Sequence, residues 1–163
     1  EEIYLKLIKI GKNNNKENSV SFARVLNNLA VLYKKQCKYD LAYPYITKAI
    51  NIWKSLSSSD YSNFAAAFHN QGELYKAQGK YILAIESFKN GIGLLDISID
   101  DFYEQYIEQS YSLINLYLKM GNKEESKNLL DIINNIRYDR GETNITLENL
   151  PDEIYEECSS SNI

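Results

Sequence analysis

Proline is almost missing from this 163-residue chain, which carries only Pro44 and Pro151. Long helices can therefore run without interruption. Cysteine is equally scarce. With only Cys37 and Cys158, and no second cysteine or histidine at ligand spacing from either, neither a disulfide framework nor a metal site is expected, and both read as free thiols. The single histidine, His69, has no Ser, Cys or Asp partner at a recognisable catalytic spacing, so it reads as a polar contact rather than a general base. No phosphate loop, nucleophile motif or metal cluster is present, which argues against an enzyme, a catalytic residue and a bound cofactor or metal. No apolar run approaches the ~20 residues needed to cross a bilayer. The opening EEIYLKLIKIGK is too short and wrongly flanked for a signal peptide, so an intracellular, membrane-free setting is expected.

Hydrophobic residues make up 44% and charged residues 25%, ordinary for a globular chain. The net charge of −4 conceals an asymmetry. Residues 1–138 hold 17 Lys and Arg against 15 Asp and Glu, whereas residues 139–163 hold one Arg against seven acids. A mildly basic body precedes an acidic tail. With a pI near 5.1 and no arginine-rich stripe, nucleic acid is not an expected partner.

The chain repeats itself. NNLAVLYKKQCKYDLA at 27–42 returns as HNQGELYKAQGKYILA at 69–84, with nine of sixteen positions identical and a displacement of 42 residues. From Ala23 to Gln36 the apolar residues Leu26, Leu29, Ala30 and Tyr33 fall at i, i+3, i+4 and i+7, one stripe of a helix, here called A. A second stripe, helix B, runs through Leu41, Ala42, Tyr45, Ile46, Ala49, Ile50 and Trp53, with Asp40 as its expected N-cap and Pro44 within its first turn or so. Cys37 stands between A and B where the later units have Gly79 and Gly121, a position that suits a left-handed C-cap. The expected hairpins cover 20–54, 62–96 and 104–136, preceded by a lone helix B over 1–12. Ala30, Ala42 and Ala49, then Gly72, Ala84 and Gly91, permit close helix approach; the bulkier Ile114, Ser126 and Ile133 predict a looser third unit. The fold class is all-α, a stack of antiparallel helix hairpins in which no helix buries its stripe alone. Tyr33, Tyr75 and Tyr117 recur at a core position and are expected to pack rather than to stack on bases.

The alternation of large and small residues resembles the tetratricopeptide repeat. The blocks Leu26-Asn27-Asn28-Leu29-Ala30, Leu32-Tyr33, Gln36-Cys37-Lys38-Tyr39 and Ala42 to Ile50, at a spacing of 42, resemble the long repeats of kinesin light chains and similar adaptors. That resemblance implies an α-solenoid with right-handed superhelical stacking over 1–138, a protein-binding scaffold, and a cytoplasmic setting with a possible link to a microtubule motor. The heptad coiled coil with which such light chains grip a motor subunit is absent from this sequence. Arrays of this family that hold a chaperone's C-terminal carboxylate use Lys, Asn and Arg where this chain has Asn27, Val31, Asn70, Glu108 and Ser112, and only Asn70 agrees.

In a stack of helix pairs the A helices line the inner wall, so their side opposite the core is the candidate groove. It comprises Arg24, Asn27, Asn28, Lys34 and Lys35 from the first unit, His69, Asn70 and Lys76 from the second, and Tyr111, Ser112, Asn115 and Lys119 from the third. Amides can both donate to and accept from a peptide backbone, and the lysines attract acids, which points to a linear acidic peptide. The alternative is an assembly module that uses the exposed first helix and the outer B-helix faces, with self-association through that helix. The acidic tail, 139–163, reads as a cap or as disordered chain. Within it Leu150, Pro151, Asp152, Glu153 and Tyr155 form a candidate autoinhibitory segment that would imitate an acidic ligand.

Overall fold

The computed structural model describes residues 1–56, 60–96 and 100–150. Within them the chain is all helix and turn. Seven α-helices follow in order: α1 Glu2–Asn13, α2 Val20–Lys35, α3 Tyr39–Leu56, α4 Tyr61–Ala77, α5 Tyr81–Ile92, α6 Asp100–Lys119 and α7 Lys123–Asp139, with a short 3-10 turn at Leu147–Asn149. Helices α2/α3, α4/α5 and α6/α7 are the three hairpins, and α1 packs on α2 as a B helix.

The ends of the A helices share one device. After α2 the amide of Lys38 donates to the carbonyl of Tyr33 (2.9 Å) and that of Cys37 to Lys34 (2.9 Å); the same pair of bonds closes α4 through Lys80 and Gly79, and α6 through Asn122 and Gly121. The closing residue must adopt positive φ, which Gly79 (+71°) and Gly121 (+78°) do without penalty and Cys37 (+58°) does despite its β-carbon. Cys37 is disulfide-bonded, not the free thiol expected, while Cys158 lies outside the described residues. Asp40 is not an N-cap either. Helix α3 already begins at Tyr39, which leaves Asp40 in the first turn, where its charge still favours the helix start.

Two boundaries move outward. Helix α6 begins at Asp100, with Asp100 and Asp101 in its first turn and Tyr103 buried, and α7 runs on to Asp139 because its own left-handed closure is Gly141 (+75°). Helix α5 stops early, at Ile92, and Leu94 and Leu95 follow in a turn that still buries Leu95.

Close packing follows the small residues. Ala42, Ala49 and Ala84 are fully buried, and a β-carbon on Gly72 would stand 2.5 Å from the ring of Phe88. The third pair, which has Ile114 and Ile133 at these positions, makes fewer close approaches than the other two. Between the first and second hairpins, Trp53 is enclosed against Phe64 and its indole N–H donates to Asp60 (3.3 Å). Tyr33 and Tyr117 are buried; Tyr75 is half-buried and its hydroxyl meets that of Tyr43 at 2.8 Å.

The two ends of the stack differ. On α1, Ile8 is buried and Tyr33 donates to Glu1 (3.0 Å), but Ile3, Leu7 and Ile10 are exposed. At the other end residues 142–150 turn back along α7. The side chain of Asn134 holds both the amide and the carbonyl of Ile145 (2.8 Å each), and Ile145, Leu147 and Leu150 pack on the core of the last hairpin. Leu150 thus lies against α6 and α7; Pro151, Asp152, Glu153 and Tyr155 of the candidate autoinhibitory segment fall outside the described residues.

Replacing Gly72 with Ala should force Phe88 aside and destabilise the chain by about 1–3 kcal/mol. A lowered urea midpoint for G72A checks this; an unchanged midpoint would show that the α4/α5 seam is not close-packed there.

Candidate functional site

Helices α2, α4 and α6 lie side by side, α2 against α4 and α4 against α6, and form one wall of the stack. Its centre is a short polar chain across the α2/α4 seam. Lys34 donates through Nζ to Oδ1 of Asn70 (3.4 Å), and Nδ2 of Asn70 donates to Oδ1 of Asn27 (3.3 Å). The sequence repeat pairs Asn28 with Asn70, but the contact runs through Asn27, which is only 7% exposed, while Asn28 faces outward. One residue is a 100° turn, and that turn carries Asn27 into the seam and Asn28 out of it.

One turn from Asn70, Glu73 and Lys76 form an ion pair (2.8 Å) that is largely covered on both sides. Glu73 offsets part of the positive charge that the lysines bring. The signal for it was in the sequence, since an acid and a lysine three apart on a helix are neighbours. His69 lies beside this pair with its ring 5.2 Å from that of Phe88, and its Nδ1 is enclosed without a hydrogen-bond partner among the described residues. Burial lowers the His69 pKa to about 4; Glu73 pulls it upward, and the charges of Lys34 and Lys76 push it further down. The imidazole is neutral at pH 7, a compact acceptor or donor between two ammonium groups.

The third unit contributes differently. Tyr111 is half-buried against the core that Ile145, Leu147 and Leu150 complete, and it faces Arg137, which pairs with Glu142 (2.8 Å). Burial raises the pKa of its phenol, with Arg137 opposing. Lys119 extends over the ring of Tyr81 (5.4 Å), at the turn edge. Ser112 and Asn115 are half-buried, and Arg24 and Lys35 are exposed. The structure therefore joins Asn27, Lys34, His69, Asn70 and Lys76 in one cluster and does not draw Tyr111 or Lys119 into it. Glu142 also accepts from Tyr103 (2.8 Å), 39 residues earlier in the chain, a contact that gave no sequence signal.

Residues 21–94 match the tetratricopeptide repeat family, and the chain carries that repeat. Among solved structures its fold is similar to BtubC (BKLC) from P. vanneervenii, with a TM-score of 0.74 and 20% identity over 93% of this chain and 59% of that one. It is also similar to the nearly identical TPR-like repeats assigned to a kinesin light chain of Podosopora anserina, in two crystal structures, one with a TM-score of 0.68 and 17% identity over 86% of this chain and 66% of that one, the other with 0.67 and 16% over 87% and 67%. No curated protein matches the chain by sequence. The chain spans 59% of the length of the first of these structures, and at such identities the likeness is one of fold. Its fold is all-α, a solenoid of tetratricopeptide type, similar in architecture to those kinesin light chain repeats. No helix among the described residues is long and apolar enough to cross a membrane.

The folded His69 pKa lies below the ~6.5 of an unfolded chain. The unfolded state then binds the extra proton between about pH 6.5 and 4, so stability falls as pH drops through that window. Between pH 7 and 5 the loss should be on the order of 1–2 kcal/mol. Urea unfolding of wild type and H69Q at both pH values checks this, and equal slopes for the two would remove His69 as the cause.

Proposed function

We propose that the chain is a non-enzymatic, cytoplasmic interaction module that receives a linear acidic peptide along its inner wall, in the manner of a kinesin light chain-like cargo adaptor. The observation that carries this reading is the Lys34–Asn70–Asn27 chain, with Lys76 and a neutral His69 beside it, on the wall shared by two A helices. Its groups are held by one another across the seam, so an incoming peptide finds them already oriented and loses little on ordering them. Asn70 would exchange its weak, long bonds for shorter ones to a peptide amide and carbonyl, and the ammonium groups of Lys34 and Lys76 would attract Asp or Glu side chains. Arg24, Asn28 and Lys35 extend the surface outward from the first unit.

The second reading is an assembly module that docks other subunits on α1 and on the outer faces. The exposure of Ile3 (73%) on α1 and of Ile82 (70%) on α5 favours it. The two differ in their response to salt, because charge-led attraction is screened over ~8–10 Å at moderate ionic strength and apolar contact is not.

A fluorescent acidic peptide of about ten residues should bind the chain and bind several-fold more weakly when salt is raised from about 50 to about 300 mM. N70A should weaken binding by roughly 5–30-fold, the equivalent of one or two hydrogen bonds, and K34A should do likewise. Binding unchanged by N70A and by salt, but abolished by I3D/L7D, would replace the groove with the assembly surface.

A further inference from the structure

We propose that the end face of α6 and α7 is a second peptide-binding site, separate from the Asn70 cluster, which residues 142–150 occupy in cis. In trans it receives a partner segment of the same chemistry, an extended stretch whose acid is followed by large aliphatic side chains three, five and eight residues on. The segment seated there shows what the site reads. Its main chain is held by side chains of α7, as that of a bound peptide is. Asn134 accepts from the amide of Ile145 and donates to its carbonyl (2.8 Å each), and Nε of Arg137 donates to the carbonyl of Thr143 (3.0 Å). Such bonds supply affinity and fix the register without regard to side-chain identity.

The side chains then select. One carboxylate oxygen of Glu142 accepts from the phenol of Tyr103 (2.8 Å), and the other pairs with the guanidinium of Arg137 (2.8 Å). Donors from two helices converge on that carboxylate, so the site calls for an acid at this position. Ile145, Leu147 and Leu150 pack on the cluster formed by Ile107, Leu130 and Ile133, so aliphatic groups are called for at theirs.

The cis segment closes this face without sealing it. Ile145, Leu147 and Leu150 are only half-buried, and the residues between them are exposed. Gly141, at φ +75°, joins the segment to α7 through one turn, about which it can swing away while α6 and α7 remain paired. A partner segment competes with this tethered one, and its apparent affinity is lowered by the fraction of chains that are closed.

The test titrates a fluorescent peptide, ETNITLENL, the sequence of residues 142–150, into the full chain. I145S/L147S weakens the cis segment and leaves every residue of α6 and α7 in place. This variant should bind the peptide at least about tenfold more tightly than wild type. Adding N134A should weaken that binding about tenfold, as the loss of two hydrogen bonds, whereas adding N70A should not change it. A peptide with Glu142→Gln should bind several-fold more weakly. In wild type, about 1 mM peptide should capture the open state and speed hydrogen exchange at the Ile145 amide several-fold. That measurement decides the matter if I145S/L147S does not fold. An unchanged exchange rate, or binding to I145S/L147S that N70A removes and N134A does not, would overturn the site. Wild-type chains that pair with one another and come apart on adding peptide would make a second copy the occupant and overturn the assignment to a separate partner.

Discussion

A helix with one apolar stripe and a polar back has no stable place in water by itself, and every feature of this chain answers that constraint. From α2 to α6 each stripe is buried against at least two neighbouring helices, so the core is a ribbon of clusters rather than a single centre. Antiparallel pairing requires the chain to reverse within three residues, and the left-handed closures at Cys37, Gly79 and Gly121 make that reversal while satisfying the carbonyls at the helix ends. The depth of each pair is then set by what lies in the seam. Ala and Gly let the first two pairs close, and Ile114 with Ile133 hold the third further apart.

Alignment of the A helices produces the inner wall as a by-product of that burial. The wall is polar because residues there cannot reach the core, yet near the seam they are partly removed from water. Those two conditions explain the cluster around Asn70. Amides bridge across the seam because an unbonded amide would be costly there, and Glu73 and Lys76 pair because neither charge is fully solvated. Desolvation outweighs the attraction of Glu73 at His69, which is why the imidazole is neutral although a carboxylate stands near it.

Residues 142–150 pack on the α6/α7 hairpin, on the face where a next repeat would stack. Gly141 turns the chain back, Asn134 acts as a surrogate backbone for Ile145, and three apolar side chains cover the end. This cover also explains the limits of the site. Tyr111 is drawn to Arg137 and the C-terminal segment, which confines the polar cluster to the first two units.

The helices, their order and their pairing were legible in the sequence, because a 3.6-residue stripe, a 42-residue repeat and glycines past the helix ends are local patterns. The close seams at Gly72 and Gly91, and the strain at Cys37, were legible for the same reason. Boundaries were less so: the start of α6 is marked only by the acids Asp100 and Asp101 of its first turn, and the end of α7 depends on Gly141 two residues beyond it. Which amide meets Asn70 could be decided only in three dimensions, since Asn27 and Asn28 differ by a 100° rotation that the neighbouring helix either covers or leaves open. The fold follows from periodicity along the chain, whereas the site depends on distances between helices 42 residues apart, and only their packing sets those.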